Sequence, residues 1–214
     1  MSISSERPEL AAVLERSRRL GFLGPGPVEE HLVHAAGYRG PIEDLLAPIK
    51  GAGGTLIRGV DLGAGGGVPS LPLLSTLPDL SMVLVDASQR RTSFCLWALI
   101  ELGLADRGEV WTGRAETFGH NEDHRGRFDV VVARGFGPPA TTLECATPLL
   151  RAGGRCVVSE PPTPRPWPRD GLGKLGVVKV EGPPGVAVFE LIEAPGRQFP
   201  RPSKDRKRDP VFDL

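Results

Sequence analysis

The stretch Leu56-Ile-Arg-Gly-Val-Asp-Leu-Gly-Ala-Gly-Gly-Gly-Val-Pro-Ser70 decides the fold of this chain. A short apolar run ends on Asp61, and Pro69 then stands near the start of a predicted helix, where its missing N–H group costs nothing. The loop between them is rich in glycine: Gly63, Gly65, Gly66 and Gly67. A strand, a glycine turn and a helix in this order bring the backbone close to a nucleotide-like ligand. The alternative is a glycine-rich turn that binds nothing.

The glycine spacing separates this loop from a dinucleotide site. A dinucleotide site has the pattern GxGxxG, with a helix N-terminus directed at a pyrophosphate. Here Asp61 is followed by Gly63-x-Gly65-x-Gly67, which resembles motif I of class I S-adenosylmethionine-dependent methyltransferases. S-adenosylmethionine has no phosphates, so the loop only has to let the backbone pass close to the ligand. The resemblance implies that this cofactor is bound by the following residues: Asp61, Gly63, Ala64, Gly65 and Gly67.

A second acid ends a second apolar run, Leu80 to Asp86. Asp86 follows Asp61 by roughly 25 residues, close to the spacing of the ribose-binding acid in dinucleotide folds. A carboxylate at this position can accept both hydroxyls of a ribose. Alternatively, Asp86 caps the helix predicted from Ala87 to Leu102, and both roles can hold together. We assign Asp86 and the adjacent Ala87 to an adenosine-type cofactor site.

Composition excludes several classes of protein. The 214 residues suffice for one domain with a proper core, and the formal charge of +0 provides no global field for nucleic acid. The polar start of the chain and the lack of a long apolar run predict a cytoplasmic protein with no membrane partner.

Three cysteines without a CxxC pair are expected to be reduced core thiols: Cys95, Cys145 and Cys156. His31 and His34 have no third ligand beside them, so we predict no metal site and treat them as packing or solvated residues.

The chain divides into three predicted regions: a helical N-terminal cap at 1–53, a cofactor-binding domain at 54–196 and a basic C-terminal tail at 197–214. The expected fold class is α/β, a Rossmann-like class I methyltransferase sheet, mostly parallel, closed by an antiparallel hairpin of Val177–Val180 and Val186–Ile192. A helix is predicted from Ala140 to Leu150, ended by Gly153-Gly154, with a fifth strand at Arg155–Ser159. The tail is either a solvated end or a phosphate-binding arm.

Other candidate site residues follow the third and fourth strands. In the implied fold, backbone N–H groups of Ala115 and Glu116 lie beside the adenine, although Glu116 alternatively just starts a helical turn. Arg134 ends the clearest strand, where ligands bind in open α/β sheets. It can face a carboxylate of the cofactor or a substrate phosphate, or it can form a structural salt bridge. Phe136 can stack on a target base or pack under its loop.

Several segments together carry a family resemblance: Asp61–Leu73, Leu84–Phe94, Arg114–Glu116, Phe128–Phe136 and Phe199–Lys204. They resemble the RsmG (GidB) family of methyltransferases, which act on guanine N7 of 16S ribosomal RNA. The resemblance implies S-adenosylmethionine as cofactor and ribosomal RNA or the small ribosomal subunit as partner, and we expect a monomer. Two departures stand out: the family's amino-terminal Trp-Asn and Asn-Leu-Thr stretch is missing before Gly54, and Glu160 stands where the family usually has Lys-Gly.

The implied chemistry explains why no nucleophile and histidine pair is expected. Guanine N7 has an in-plane lone pair and no proton, so the protein's task is alignment, without a general base. Arg134 and Phe136 are therefore positioning candidates, and no certain catalytic residue is assigned. Two alternatives remain at this point: a methyltransferase acting on a small metabolite, and a non-catalytic protein of the same fold that binds RNA.

Overall fold

A seven-stranded sheet organises the computed structural model, which describes residues 7–51, 53 and 56–213. Its strands are β1 (Ile57–Leu62), β2 (Leu80–Asp86), β3 (Gly108–Thr112), β4 (Phe128–Ala133), β5 (Leu150–Ser159), β6 (Val177–Val180) and β7 (Val186–Leu191). Their order across the sheet is β3-β2-β1-β4-β5-β7-β6. The first five strands pair in parallel, and β7 pairs antiparallel with both β5 and β6. The predicted mostly parallel sheet with a closing hairpin is confirmed.

Helices cover both faces of the sheet. They are α1 (Pro8–Arg19), α2 (Val28–Ala36), α3 (Arg39–Glu43), α4 (Leu46–Gly51), α5 (Ser70–Thr76), α6 (Gln89–Glu101), α7 (Ala115–His120), α8 (Pro139–Ala146), α9 (Arg169–Lys174) and α10 (Ser203–Arg208). Helices α5 to α8 each follow one parallel strand, as expected for right-handed crossovers in a doubly wound sheet. No helix of the described residues is both long enough and apolar enough to cross a membrane.

Two apolar cores lie on opposite faces of the sheet, and β4 contributes to both. Val130 and Val132 belong to the core shared with α1 and α2, whereas Val131 and Ala133 belong to the core shared with α8. A strand buried on both faces needs apolar residues at consecutive positions, which explains the continuous β-branched run. Among the described residues the cysteines are free and buried, as predicted.

The structure corrects one prediction near the fifth strand. Helix α8 ends at Ala146, a 3₁₀ turn covers Thr147–Leu149, and β5 begins at Leu150, so Gly153 and Gly154 lie inside the strand. Gly153 adopts φ +72°, and the β4–β5 register shifts at this end of the pair. A Cβ atom at Gly154 would lie 3.0 Å from the Asp129 carbonyl oxygen. The two glycines therefore mark an irregularity and a close strand approach, where the sequence suggested a helix end.

Candidate active site

The two predicted acids meet at one edge of the sheet. Strands β1 and β2 are parallel neighbours with Leu62 opposite Val85, so Asp61 and Asp86 both lie at the carboxyl ends of their strands. The N–H groups of Gly63 and Ala64 donate to the Val85 carbonyl oxygen at 2.8 and 3.0 Å. This edge also contains the point between β1 and β4 where the strand order reverses, which is where open α/β sheets bind ligands.

The glycine loop is packed on both sides. At Gly63, φ is +73°, and an added Cβ atom would lie only 2.9 Å from the Phe136 ring. On the other side, a Cβ atom at Gly66 would lie 2.4 Å from Ser17 Oγ. The Ser17 hydroxyl donates to the Gly66 carbonyl oxygen at 2.9 Å, so α1 of the N-terminal cap holds the loop in place. The cap therefore helps to shape the site at the sheet edge.

Asp86 joins the second strand to the glycine loop. Its Oδ2 accepts a hydrogen bond from the Gly65 N–H at 3.0 Å and lies 3.7 Å from Nη1 of Arg91. Its Oδ1 accepts from the N–H of Ser88, the residue that caps α6, at 2.8 Å. Asp86 is thus outside the helix, which starts at Gln89, later than predicted. Each carboxylate oxygen can accept more than one hydrogen bond, so ribose hydroxyls remain possible partners.

A cleft of about 370 Å³ opens at this edge, within the size range of small-molecule sites. Its wall contains six predicted residues: Gly63, Asp86, Ala87, Ala115, Glu116 and Phe136. Five others were predicted as cofactor residues and are not part of this wall: Asp61, Ala64, Gly65, Gly67 and Arg134. A larger hollow of about 640 Å³ lies between α1 and the start of α2. It contains none of the predicted residues, so volume alone does not identify the site.

Asp61 is a buried carboxyl with one unpartnered oxygen. Its side chain is inaccessible to solvent; Ser70 Oγ donates to Oδ2, and Oδ1 has no hydrogen-bond partner within the described part of the chain. Burial raises the pKa of Asp61 to about 7, against the opposing effect of the hydrogen bonds from Ser70. Its Oδ1 therefore lacks the hydrogen bond that a buried carboxyl oxygen normally has.

Arg134 lies outside the cleft wall and extends toward the N-terminal cap. Its Nη2 is 2.5 Å from Nδ1 of His31, and His31 Nε2 is 3.3 Å from the Gly24 carbonyl oxygen. Because a guanidinium only donates, Nδ1 of His31 accepts and Nε2 carries the proton. The pKa of His31 is lowered by burial and by the charge of Arg134, which keeps the ring neutral. Arg134 Nη1 is buried and has no hydrogen-bond partner among the described residues.

His31 is a site residue that the sequence did not reveal. It was interpreted as a packing or solvated residue, but it orients the Arg134 guanidinium from 103 residues away in the chain. The charge of Arg134 in turn partly opposes the rise that burial causes in the pKa of Asp61. No local spacing signals this contact, because it depends on how α2 docks beside the end of β4.

The basic C-terminal segment forms part of the cleft wall. Arg206 is buried and pairs with Glu116, while Arg201 donates from Nε and Nη2 to the buried Glu144 at 3.1 and 2.8 Å. Burial alone would raise the pKa of Glu116, but the hydrogen bond and charge of Arg206 outweigh it and lower that pKa. Ser203, Arg206 and Lys207 line the cleft, and sequence analysis did not assign them to it.

Glu160 has a local structural role. Its Oε2 accepts from Trp167 Nε1 at 2.8 Å, its Oε1 accepts from Arg165 at 2.9 Å, and its side chain is 5% exposed. The carboxylate therefore holds the proline-rich segment 161–168 against the sheet end. Arg165 neutralises the charge of Glu160. This position, where the family usually has Lys-Gly, therefore does not present an unpaired negative charge to RNA.

The sheet order, the glycine loop and the acid after the second strand together define a class I methyltransferase fold. Two solved structures share it: a putative O-methyltransferase from Klebsiella pneumoniae (TM-score 0.59, 15% identity, 87% of this chain and 90% of that one) and a methyltransferase from Geobacter sulfurreducens (TM-score 0.58, 18% identity, 87% and 89%). The family model GidB, described as rRNA small subunit methyltransferase G, matches residues 46–160, and the chain belongs to this family.

Two relatives named "Ribosomal RNA small subunit methyltransferase G" illustrate the similarity. The protein from Rubrobacter xylanophilus is 29% identical over 204 residues, which cover 94% of this chain and 71% of the relative. One from Streptococcus pyogenes is 38% identical over 116 residues, covering 53% of this chain and 48% of the relative. The chain thus matches about half the length of the streptococcal relative. The glycine loop lies within residues 46–160, which the family model matches.

Proposed function

We propose that this chain is an S-adenosylmethionine-dependent methyltransferase that modifies guanine N7 in 16S ribosomal RNA, acting as a monomer in the cytoplasm. Family membership and the names of the relatives support the RNA substrate. The observation that carries the cofactor assignment is the cleft whose wall brings Gly63 of the glycine loop together with Asp86, Ala115 and Glu116. Two atoms outside that wall, Asp61 Oδ1 and Arg134 Nη1, are buried without partners among the described residues.

These two atoms fit the amino-acid end of S-adenosylmethionine. That end carries an ammonium group and a carboxylate, which are the natural partners of a carboxylate oxygen and a guanidinium nitrogen. Buried polar groups are normally satisfied, and Asp61 and Arg134 are near enough to influence each other's pKa, so these two unpartnered atoms support a ligand with an ammonium and a carboxylate group. Asp86 would accept the ribose hydroxyls, and the backbone at Ala115 and Glu116 would face the adenine, since both residues line the cleft.

The protein's contribution to the reaction is alignment. When bound, the cofactor supplies an activated methyl group, whose transfer leaves a neutral thioether as the N–CH₃ bond forms. Phe136 lines the cleft beside Gly63, and its aromatic ring would stack on the acceptor base. Arg134, fixed by His31, would hold the cofactor end and so set the distance between donor and acceptor.

The three predicted regions have complementary roles in this proposal. The cap at 1–53 supplies Ser17 to the glycine loop and His31 to Arg134. The domain at 54–196 provides the sheet edge, and the segment at 197–214 supplies Arg206 and Lys207 to the cleft wall. In this arrangement, cofactor affinity depends on all three regions.

Two measurements test the proposal. Calorimetry should show that S-adenosylmethionine binds the wild-type chain and that Asp86→Ala weakens binding at least tenfold, because the ribose loses its acceptor. The matched control is Asp209→Ala, which removes an exposed carboxylate outside the cleft wall. Mass mapping of 16S RNA from a strain lacking the gene should then show one N7-methylguanine missing. Cofactor binding with an unchanged methylation pattern would favour a small-molecule methyltransferase, and absence of cofactor binding would favour a non-catalytic RNA-binding protein.

A further inference from the structure

More basic than acidic side chains line the cleft. Four basic side chains line the cleft, Arg91, Arg114, Arg206 and Lys207, against the two acids Asp86 and Glu116. The chain as a whole has a formal charge of +0, so this surplus is local. S-adenosylmethionine is itself a net cation, because it has a sulfonium and an ammonium against one carboxylate. The surplus therefore suits a polyanionic partner at the mouth of the cleft.

A second concave surface lies on the same helix, α6, as the cleft residue Arg91. Arg90, which is adjacent in the chain to the cleft residue Arg91, lines an open depression of about 420 Å³ between α1 and α6. The depression contains Arg16, Phe22 and Trp97 and has no acidic residue among those that line it. We call Arg16, Phe22, Arg90 and Trp97 the arginine–aromatic surface.

Each arginine of this surface lies over an aromatic ring. The guanidinium of Arg16 is 4.1 Å from the Trp97 ring centroid, and that of Arg90 is 5.5 Å from the Phe22 ring centroid. Both arginines are exposed, and no ion pair with an acidic side chain is found for either within the described residues. Stacking on a ring holds the arginine side chain while its N–H groups stay directed to solvent.

We propose that the arginine–aromatic surface binds the ribosomal RNA strand next to the target nucleotide, an inference that rests on the proposed function. Arg16 and Arg90, held on the rings of Trp97 and Phe22, would neutralise backbone phosphates, and their guanidinium planes would stack with unpaired bases. Phe22 is also connected to the active site, because its carbonyl oxygen would lie 2.8 Å from a Cβ atom at Gly66. The RNA path would thus run from the cleft mouth over Arg91 to the outer face of α1 and α6.

The test compares two double variants that lower the charge equally. Arg16→Gln/Arg90→Gln removes both cations of the surface. The control, Arg39→Gln/Arg58→Gln, removes two exposed arginines at the opposite edge of the sheet: Arg39 pairs with Glu43, and Arg58 lies 5.5 Å from the Phe128 ring centroid. Binding of a fluorescent 16S ribosomal RNA transcript is measured by anisotropy over a range of salt concentrations, together with cofactor binding and thermal melting.

We expect the surface variant to bind the transcript about tenfold more weakly at moderate salt, with the slope of log K against log salt reduced by about 1.4, which is about 0.7 for each single-strand phosphate contact. Its affinity for S-adenosylmethionine should match that of the wild type, because neither arginine lines the cleft. Arg16→Lys/Arg90→Lys should recover the salt slope, since lysine keeps the charge.

The outcomes separate this inference from the function on which it rests. A surface variant that binds and methylates the transcript as well as the control does would overturn the RNA path and leave the methyltransferase assignment intact. A wild-type chain that neither binds nor methylates the RNA would overturn both. Loss of RNA binding by both double variants would show only a general effect of charge and would also contradict the proposal.

Discussion

At the scale of single residues, burial ties the ionisation of Asp61 to folding. Its pKa is about 7 in the folded chain and about 3.8 without burial. Between these values the folded state binds more protons than the unfolded state, so Asp61 stabilises the chain below pH 4, and this contribution is lost as the pH rises to about 7. Asp61→Asn has no titratable carboxyl at this position, so its free energy of unfolding should not show this loss between pH 4 and 7.

The measurement is the free energy of unfolding of the cofactor-free chain in urea from pH 4 to 8. From pH 4 to pH 8, the free energy of unfolding of the wild type should fall relative to that of Asp61→Asn by a few kcal/mol. This corresponds to on the order of 1.4 kcal/mol for each unit of pKa change. The exposed Asp209→Asn serves as the control for lost charge. A wild type and Asp61→Asn pair with parallel pH profiles would contradict the assigned environment.

His31 gives a second prediction at this scale. His31→Ala removes the acceptor that fixes Arg134 Nη2, so the guanidinium gains freedom and S-adenosylmethionine binding should weaken about tenfold. His31→Gln offers an oxygen to Arg134 and an N–H group to Gly24, so it should retain most of the affinity. Calorimetry measures both variants, with His120→Ala as a control for losing a histidine outside the cap. Equal loss in the alanine and glutamine variants would show that ring packing, and not orientation of Arg134, is the role of His31.

At the scale of elements, the C-terminal segment depends on ion pairs that are buried to different degrees. Arg201 pairs with Glu144, whose side chain is 1% exposed, whereas Arg197 pairs with Glu122 where both side chains are largely exposed. Arg201→Met should lower the free energy of unfolding by about 2–4 kcal/mol, because it leaves a buried carboxylate unpaired. Arg197→Met should change it by less than about 1 kcal/mol. Urea unfolding followed by tryptophan fluorescence checks both, and equal small effects would show that Glu144 is satisfied without Arg201.

Elements also show where sequence reasoning succeeds. Strand β4 is predictable because a strand buried on both faces must be apolar at successive positions, as in Val130–Ala133. The glycine loop is predictable because its glycines stand between a strand and a helix, and the positive φ angles of Gly63, Gly65 and Gly67 favour glycine. The end of α8 was misplaced because Gly153 and Gly154 read as a helix stop, while pairing with β4 begins at Leu150. Long-range contacts such as those of Arg201 and Arg206 leave no local pattern to read.

At the scale of the whole molecule, the N-terminal cap and the sheet share one core. Leu10 and Leu14 of α1 are fully buried in the same cluster as Val130 and Val132 of β4. Tyr38 follows α2 and donates from its buried hydroxyl to the Ala133 carbonyl oxygen at 3.1 Å. A cap attached in this way should not unfold separately, so its described part, residues 7–51 and 53, is expected to be an integral part of the fold and not an independent domain.

The three tryptophans make this cooperativity measurable. Trp97 contacts Arg16 of the cap, Trp111 lies in β3, and Trp167 packs against Phe189 on the other face of the sheet. In variants that keep a single tryptophan, the urea midpoints reported by Trp97 and by Trp167 should coincide with each other and with far-UV circular dichroism, as two-state unfolding requires. An earlier transition at Trp97 alone would mean that the cap opens while the sheet stays folded. In that case the contact of Ser17 with the glycine loop and the contact of His31 with Arg134 would form only while the cap is docked on the sheet.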